Sequence, residues 1–211
     1  MLVGIMGYGE IGKSLHKVYK DFSKDFEVKV KELTWEDNLE GIEVLNVCIP
    51  FSNKEDFVKI VSLVIKKYSP KITIVHSTVK AGTTQSIANK TKALVVHSPV
   101  SGIHPKLYEG IKTFIKFFGY DDVRAKKLVE KHFSELKIKF KAFSNSKTTE
   151  LVKLFDTTYY GLCIAYHGEM KKICDKEKVN FDAINEWTKN YNEGYAKLGK
   201  TNVQRPNLYP P

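Results

Sequence analysis

Two rhythms of apolar and polar positions run along the chain. Short apolar runs, LVGIM at 2–6, VLNVCI at 44–49, KITIVHSTV at 71–79, ALVVHSPV at 93–100 and TFIKFFG at 113–119, read as strands, as do the period-two stretch FEVKV at 26–30 and a last edge strand, KIKFKAF, at 137–143. Between them lie stretches with apolar residues at helical spacing. In EIGKSLHKVYKDF they open directly on a glycine loop. In NKEDFVKIVSLVIKKY, Phe57, Ile60, Val61, Val64 and Ile65 form one stripe, and DDVRAKKLVEKHFSEL gives a further helix. Strands alternating with helices predict a doubly wound, parallel α/β sheet of Rossmann type over residues 1–146.

After about residue 146 the strand pattern stops. SKTTELVKLFDTTYYGLCIAYHGEMKKICDKEK carries Leu151, Leu154, Phe155, Thr158, Leu162 and Ala165 at spacings of three and four, which predicts one long helix. A second helix is expected over VNFDAINEWTKNYNEGY, with Asn180 as its cap and Leu198-Gly199 at its end. Residues 147–200 thus form a helical central domain and 201–211 a proline-rich tail. Tyr159, Tyr160, Ile164 and Tyr166 make the long helix apolar on several faces, so a homodimer built on it is expected.

Charge changes this picture little. The formal charge is +10, but arginine occurs only at 124 and 205, and the lysines are dispersed among acidic residues. Base and phosphate readout favours the arginine fork, so a solvated basic surface is expected and a nucleic-acid partner is not. No apolar run reaches the roughly 20 residues of a membrane span, and nothing resembles a signal peptide. Cys48, Cys163 and Cys174 sit in apolar contexts without paired or metal-like spacing, which suits reduced thiols in the cytoplasm.

Chemistry concentrates at residues 4–12, GIMGYGEIG. This G-x-G-x-x-G loop follows a strand, opens a helix, and has Glu32 closing the second strand 20 residues after Gly12. Gly7 permits the tight turn, Gly9 lets backbone approach a pyrophosphate, and Gly12 lets the helix pack close to the sheet. Glu32 suits the ribose hydroxyls and repels a 2′-phosphate, so NAD is the expected cofactor, held by Gly7, Tyr8, Gly9, Glu10, Ile11, Gly12 and Glu32.

The stretches GIMGYGEIG, CIPFSN, VHSTVKAGTT, VHSPVSGIHP and ELVKLFDTTYYGLCIAYHGEM together resemble the UDP-glucose/GDP-mannose dehydrogenase superfamily, whose S-T-V-x-x-G-T-T motif is the most specific of them. The resemblance implies an NAD-binding domain followed by a long dimer-making helix, and a small-molecule substrate, a nucleotide sugar. It also implies that Pro50 and Thr78 lie near the nicotinamide. A catalytic lysine of the family matches Lys153, and the family's asparagine four residues on is Thr157 here; Thr78 joins these two as a candidate catalytic residue.

Other positions depart from the pattern. Ser98-Pro99-Val100-Ser101-Gly102 lacks the carboxylate of the nucleotide-sugar enzymes and resembles the P-V-S-G of β-hydroxyacid dehydrogenases, which makes Ser98, Ser101 and Gly102 candidate substrate contacts and a small hydroxyacid the alternative substrate. The family's nucleophilic cysteine, which carries the covalent intermediate between two hydride transfers, has no counterpart before Pro211. The chain as given is therefore expected to lack the C-terminal substrate domain and to bind cofactor without completing an alcohol-to-acid oxidation; a non-catalytic NAD-binding protein is the further alternative. His76 and His97 each end a strand, and two readings stay open for both: lining the active site, or bonding to backbone. His167 reads as a packing or interface residue, and no cluster has metal-ligand spacing.

Overall fold

The computed structural model describes residues 1–22, 24–32, 34, 37–200 and 202–206, and the chain divides into two compact units, Met1–Leu154 and Phe155–Pro211. Its elements run β1 (Leu2–Met6), α1 (Glu10–Lys20), β2 (Glu27–Lys31), β3 (Val44–Val47), α2 (Lys54–Tyr68), β4 (Ile72–Val75), α3 (Thr83–Thr91), β5 (Val95–His97), α4 (Leu107–Thr113), β6 (Lys116–Tyr120), α5 (Val123–Glu135), β7 (Phe140–Ser144), α6 (Ser146–Glu177) and α7 (Asp182–Lys197). Of the proline-rich tail, residues 201 and 207–211 lie outside the described residues.

Strand alternation builds the first unit. On β1 the side chains of Val3 and Ile5 enter a core shared with α1, α4 and α5, whereas Met6 enters a second core with α2 and α3. Ile72 and Ile74 against Val75 on β4, and Val96 against Val95 on β5, split the same way. Both faces of the sheet are therefore covered by helices, as the continuous apolar runs require.

The sheet order is β2-β1-β3-β4-β5-β6-β7. The first five strands are parallel, but β6 pairs antiparallel with β5, through Val96↔Tyr120 and His97↔Gly119, and β7 follows β6 in parallel. The expected doubly wound parallel sheet is thus present as a mostly parallel one, with its last two strands reversed. Two helices, α3 and α4, fall where the sequence pattern gave none. Strand order reverses between β1 and β3, and in open α/β sheets ligands bind above that point, at the carboxyl ends of the strands.

The second unit contains the greater part of α6, and α7. The expected cap is corrected by one residue: Phe181 occupies the cap position of α7, and Asn180, one residue earlier, accepts the Asp182 amide through its side chain at 2.9 Å, while Gly199 ends the element at φ +74°. Cys174, Val179, Ile184 and Trp187 line a groove of about 490 Å³ between the two helices. Arg205 stacks on Tyr191, its guanidinium 3.6 Å from the ring centre. Among the described residues no helix is long and apolar enough to cross a membrane.

Candidate functional site

The glycine loop occupies the switch point between β1 and β3, and each glycine has a distinct reason to be there. Gly7 sits at φ +94°, and a Cβ on it would stand 2.8 Å from the backbone of Cys48 and Ile49. A Cβ on Gly12 would lie 2.0 Å from the Gly7 carbonyl oxygen, so α1 cannot approach the sheet unless residue 12 is glycine. Gly9 faces open space, with nothing within 4 Å of its would-be Cβ. The loop is thus rigidly packed at both ends and clear in the middle, where α1 presents amides that have no acceptor within the helix.

Glu32 follows β2 and reaches this loop directly: its Oε2 accepts the Tyr8 amide at 2.5 Å. The Gly7 amide donates to the Lys31 carbonyl at 2.8 Å, which ties the loop to the same strand end. The Tyr8 hydroxyl meets His16 Nδ1 at 2.7 Å. Beside the loop a cleft of about 370 Å³ opens, lined by Glu10 and Ile11 of α1, Cys48, Pro50 and Phe51 beyond β3, Thr78 beyond β4, and His104. Glu10, Ile11, Pro50 and Thr78 therefore share one cleft. Burial pushes the Cys48 thiol up to about 12, so it is protonated and inert at neutral pH.

Behind the cleft the two strand-end histidines are structural. His76 is buried between the Ser98 carbonyl, 2.9 Å from Nδ1, and the side-chain oxygen Oδ1 of Asn46, 2.8 Å from Nε2. His97 lies between Thr149 Oγ1 at 2.9 Å and the Ser77 carbonyl at 3.1 Å, and burial lowers its pKa to about 4. Of their two open readings, bonding within the fold is the one realised. Ser98 is also buried, its hydroxyl donating to the Phe117 carbonyl at 2.9 Å, whereas Ser101 and Gly102 are exposed. Gly102 packs against α4, where a Cβ on Gly110 would come within 2.8 Å of its Cα.

Three residues important to this region escaped the sequence reading. Lys116 on β6 is buried, and its Nζ donates to the carbonyls of Ser98 at 3.0 Å and Pro99 at 3.2 Å. Burial lowers its pKa to about 7, opposed by the nearby Cys48 and helped by the repulsion of Lys153. A neutral amine still has two N–H groups for these two carbonyls. Period-two alternation places Lys116 on the same face as the fully buried Phe118, and that was the available signal. Glu150 on α6 is fully buried and accepts the Gly82 amide at 2.5 Å, the Thr84 amide at 2.8 Å and the Thr84 hydroxyl at 2.7 Å. The G-T-T of HSTVKAGTT is therefore the start of α3, capped by a carboxylate 66 residues away. His104 is the third.

Lys153 is half-buried on α6 in the first unit, close enough to Lys116 for their charges to interact, and Thr157 is exposed one turn further on, in the second unit. In the second unit His167 is buried, with Nδ1 2.7 Å from the Cys163 carbonyl, a packing role as read from its position.

No family model matches the chain. The curated UDP-N-acetyl-D-mannosamine dehydrogenase of Methanococcus vannielii is 32% identical over 117 residues, which cover 53% of this chain and 27% of that protein. The matched stretch thus spans about a quarter of the relative's length. Among solved structures, the UDP-D-ManNAc dehydrogenase of Pyrococcus horikoshii is 17% identical, with a TM-score of 0.78 over 100% of this chain and 60% of the other. The 3-hydroxyisobutyrate dehydrogenase of Mycobacterium tuberculosis is 11% identical, with a TM-score of 0.68 over 88% of this chain and 68% of the other. At such identities the structures establish a shared Rossmann-like α/β fold. The chain accordingly resembles nucleotide-sugar dehydrogenases in both sequence and fold, and β-hydroxyacid dehydrogenases in fold, as its motifs indicated.

Proposed function

We propose that the chain binds NAD in the cleft above β1 and β3 and serves an oxidoreductase of the nucleotide-sugar dehydrogenase type. The observation that carries this reading is the strand, glycine loop and helix with Glu32 at the adjacent strand end. At Gly7 and Gly12 a Cβ would strike neighbouring backbone, which is why the turn is tight and α1 lies close to the sheet, and at Gly9 it would meet nothing, so the middle of the loop is open. In this reading the amides at the start of α1 receive the pyrophosphate, Glu32 the adenosine ribose hydroxyls, and Pro50 and Thr78 flank the nicotinamide. NAD when bound supplies the hydride acceptor. Lys153 orients the substrate oxygen and assists its proton transfer, with Lys116 fixing the backbone from which Ser101 and Gly102 extend.

Calorimetric titration tests the cofactor. NAD should bind at least about tenfold more tightly than NADP, equivalent to about 1.4 kcal/mol, and Glu32→Ala should weaken NAD and narrow that ratio. Equal or reversed affinities would refute the assignment.

A second substrate reading rests on the exposed Ser101-Gly102 pair, which matches a carboxylate-binding segment better than a nucleotide-sugar one. NADH production with UDP- and GDP-sugars and with 3-hydroxyacids separates the two, and cofactor binding without turnover of either would favour a binding protein. We further infer a homodimer formed through the exposed apolar side chains of α6, and, from three free cysteines, residence in the reducing cytoplasm.

A further inference from the structure

The cleft has one unusual ionisable pair. Glu10 is the first residue of α1, and its Oε1 meets Nδ1 of His104 at 2.7 Å, 94 residues further along the chain. Among the described residues that line the cleft, these two and the Cys48 thiol are the ionisable side chains. His104 belongs to the loop that runs from Ser101-Gly102 to α4, so the contact ties that loop to the glycine loop across the cleft.

Glu10 presents an electrostatic conflict. A carboxylate in the first turn favours the helix dipole, yet it occupies the turn whose amides would receive a doubly charged pyrophosphate. Left to itself it would add a third negative charge to that site. The imidazole Nδ1–H removes part of this conflict by engaging Oε1, and it does so whether or not the ring carries a second proton.

We propose that His104 is a cofactor-affinity residue: by holding the Glu10 carboxylate it relieves the repulsion felt by a dinucleotide pyrophosphate at the start of α1, and it secures the Ser101–Lys106 loop beside the bound cofactor. This rests on the NAD reading of the cleft. The side chains are 72% and 48% exposed, so substitutions at either position leave the core intact.

The test is a double-mutant cycle, with NAD affinity measured by calorimetry for the wild-type chain, Glu10→Gln, His104→Ala and the double variant. His104→Ala should weaken NAD by about two- to fivefold and Glu10→Gln should tighten it by a similar factor, the range expected of a charge in a helix's first turn. In the Glu10→Gln background the histidine substitution should have almost no effect. An unchanged affinity for His104→Ala, or an equal loss in both backgrounds, overturns the proposal while leaving the NAD reading intact. A wild-type chain that does not bind NAD overturns both. Amide hydrogen exchange over residues 101–106 in the ligand-free chain gives an independent readout of the tie: faster exchange in both single variants is expected, and no change would show that the pair does not restrain the loop.

Discussion

The three glycines of the loop differ in what a methyl group would meet, so they should respond differently to alanine. Gly12→Ala puts a Cβ against the Gly7 carbonyl at 2.0 Å and forces α1 away from the sheet; a loss of about 3 kcal/mol or more is expected in denaturant unfolding. Gly9→Ala has nothing to clash with and should leave stability within about 1 kcal/mol of wild type, while weakening NAD binding. Lys116 offers a different test. Its pKa is lowered from the ordinary lysine value to about 7, so above pH 7 the folded state releases a proton that the unfolded state keeps. Stability should therefore rise with pH, by up to about 1.4 kcal/mol per unit. The clean window runs from pH 7 to about 8.5. Above that the unfolded state ionises the Cys48 thiol while the folded state, with its pKa near 12, does not, and this effect has the opposite sign. Lys116→Met should abolish the rise in that window and cost about 1–3 kcal/mol at pH 7, because the Pro99 carbonyl loses its side-chain donor.

The long helix is an element with two kinds of surface. Its first turns are polar and buried: Ser146 bonds Asp121, Thr149 bonds His97, and Glu150 caps α3. Glu150→Gln keeps the size of the side chain but removes the charge and turns one acceptor into a donor facing amides. A loss of about 3 kcal/mol is expected, read as a lower denaturant midpoint. Elements of this kind mark how far the sequence could be read. Strand positions, the glycine loop and the long helix were legible because periodicity and glycine spacing report local geometry. The direction of β6 was not, since an apolar run looks the same whichever way it is threaded. Helix α3 was hidden because its cap lies 66 residues away, and α4, with seven residues, is too short to establish a period. The pairing of Glu10 with His104 was illegible for the same reason as the Glu150 cap: contacts between distant residues leave no local pattern.

At the scale of the molecule, the later turns of α6 reverse its early character. Phe155, Tyr159, Tyr160, Leu162 and Tyr166 are all more than half exposed. An apolar surface of this extent on one helix is the observation behind the proposed homodimer. Light scattering at tens of micromolar, where an interface of ordinary size persists, should give the mass of a dimer, and Phe155→Glu should shift it toward monomer without lowering the unfolding midpoint. A persistent wild-type monomer would refute this. The polar base of the same helix has a consequence for anyone dividing the protein into pieces. A fragment cut where the last strand ends, at Ser144, would retain every strand of the sheet and yet expose the first amides of α3 and deprive buried His97 of its hydroxyl partner. The smallest portion that keeps its own wiring ends inside the helix, near Leu154, so the natural place to cut lies in a continuous element and not in a loop.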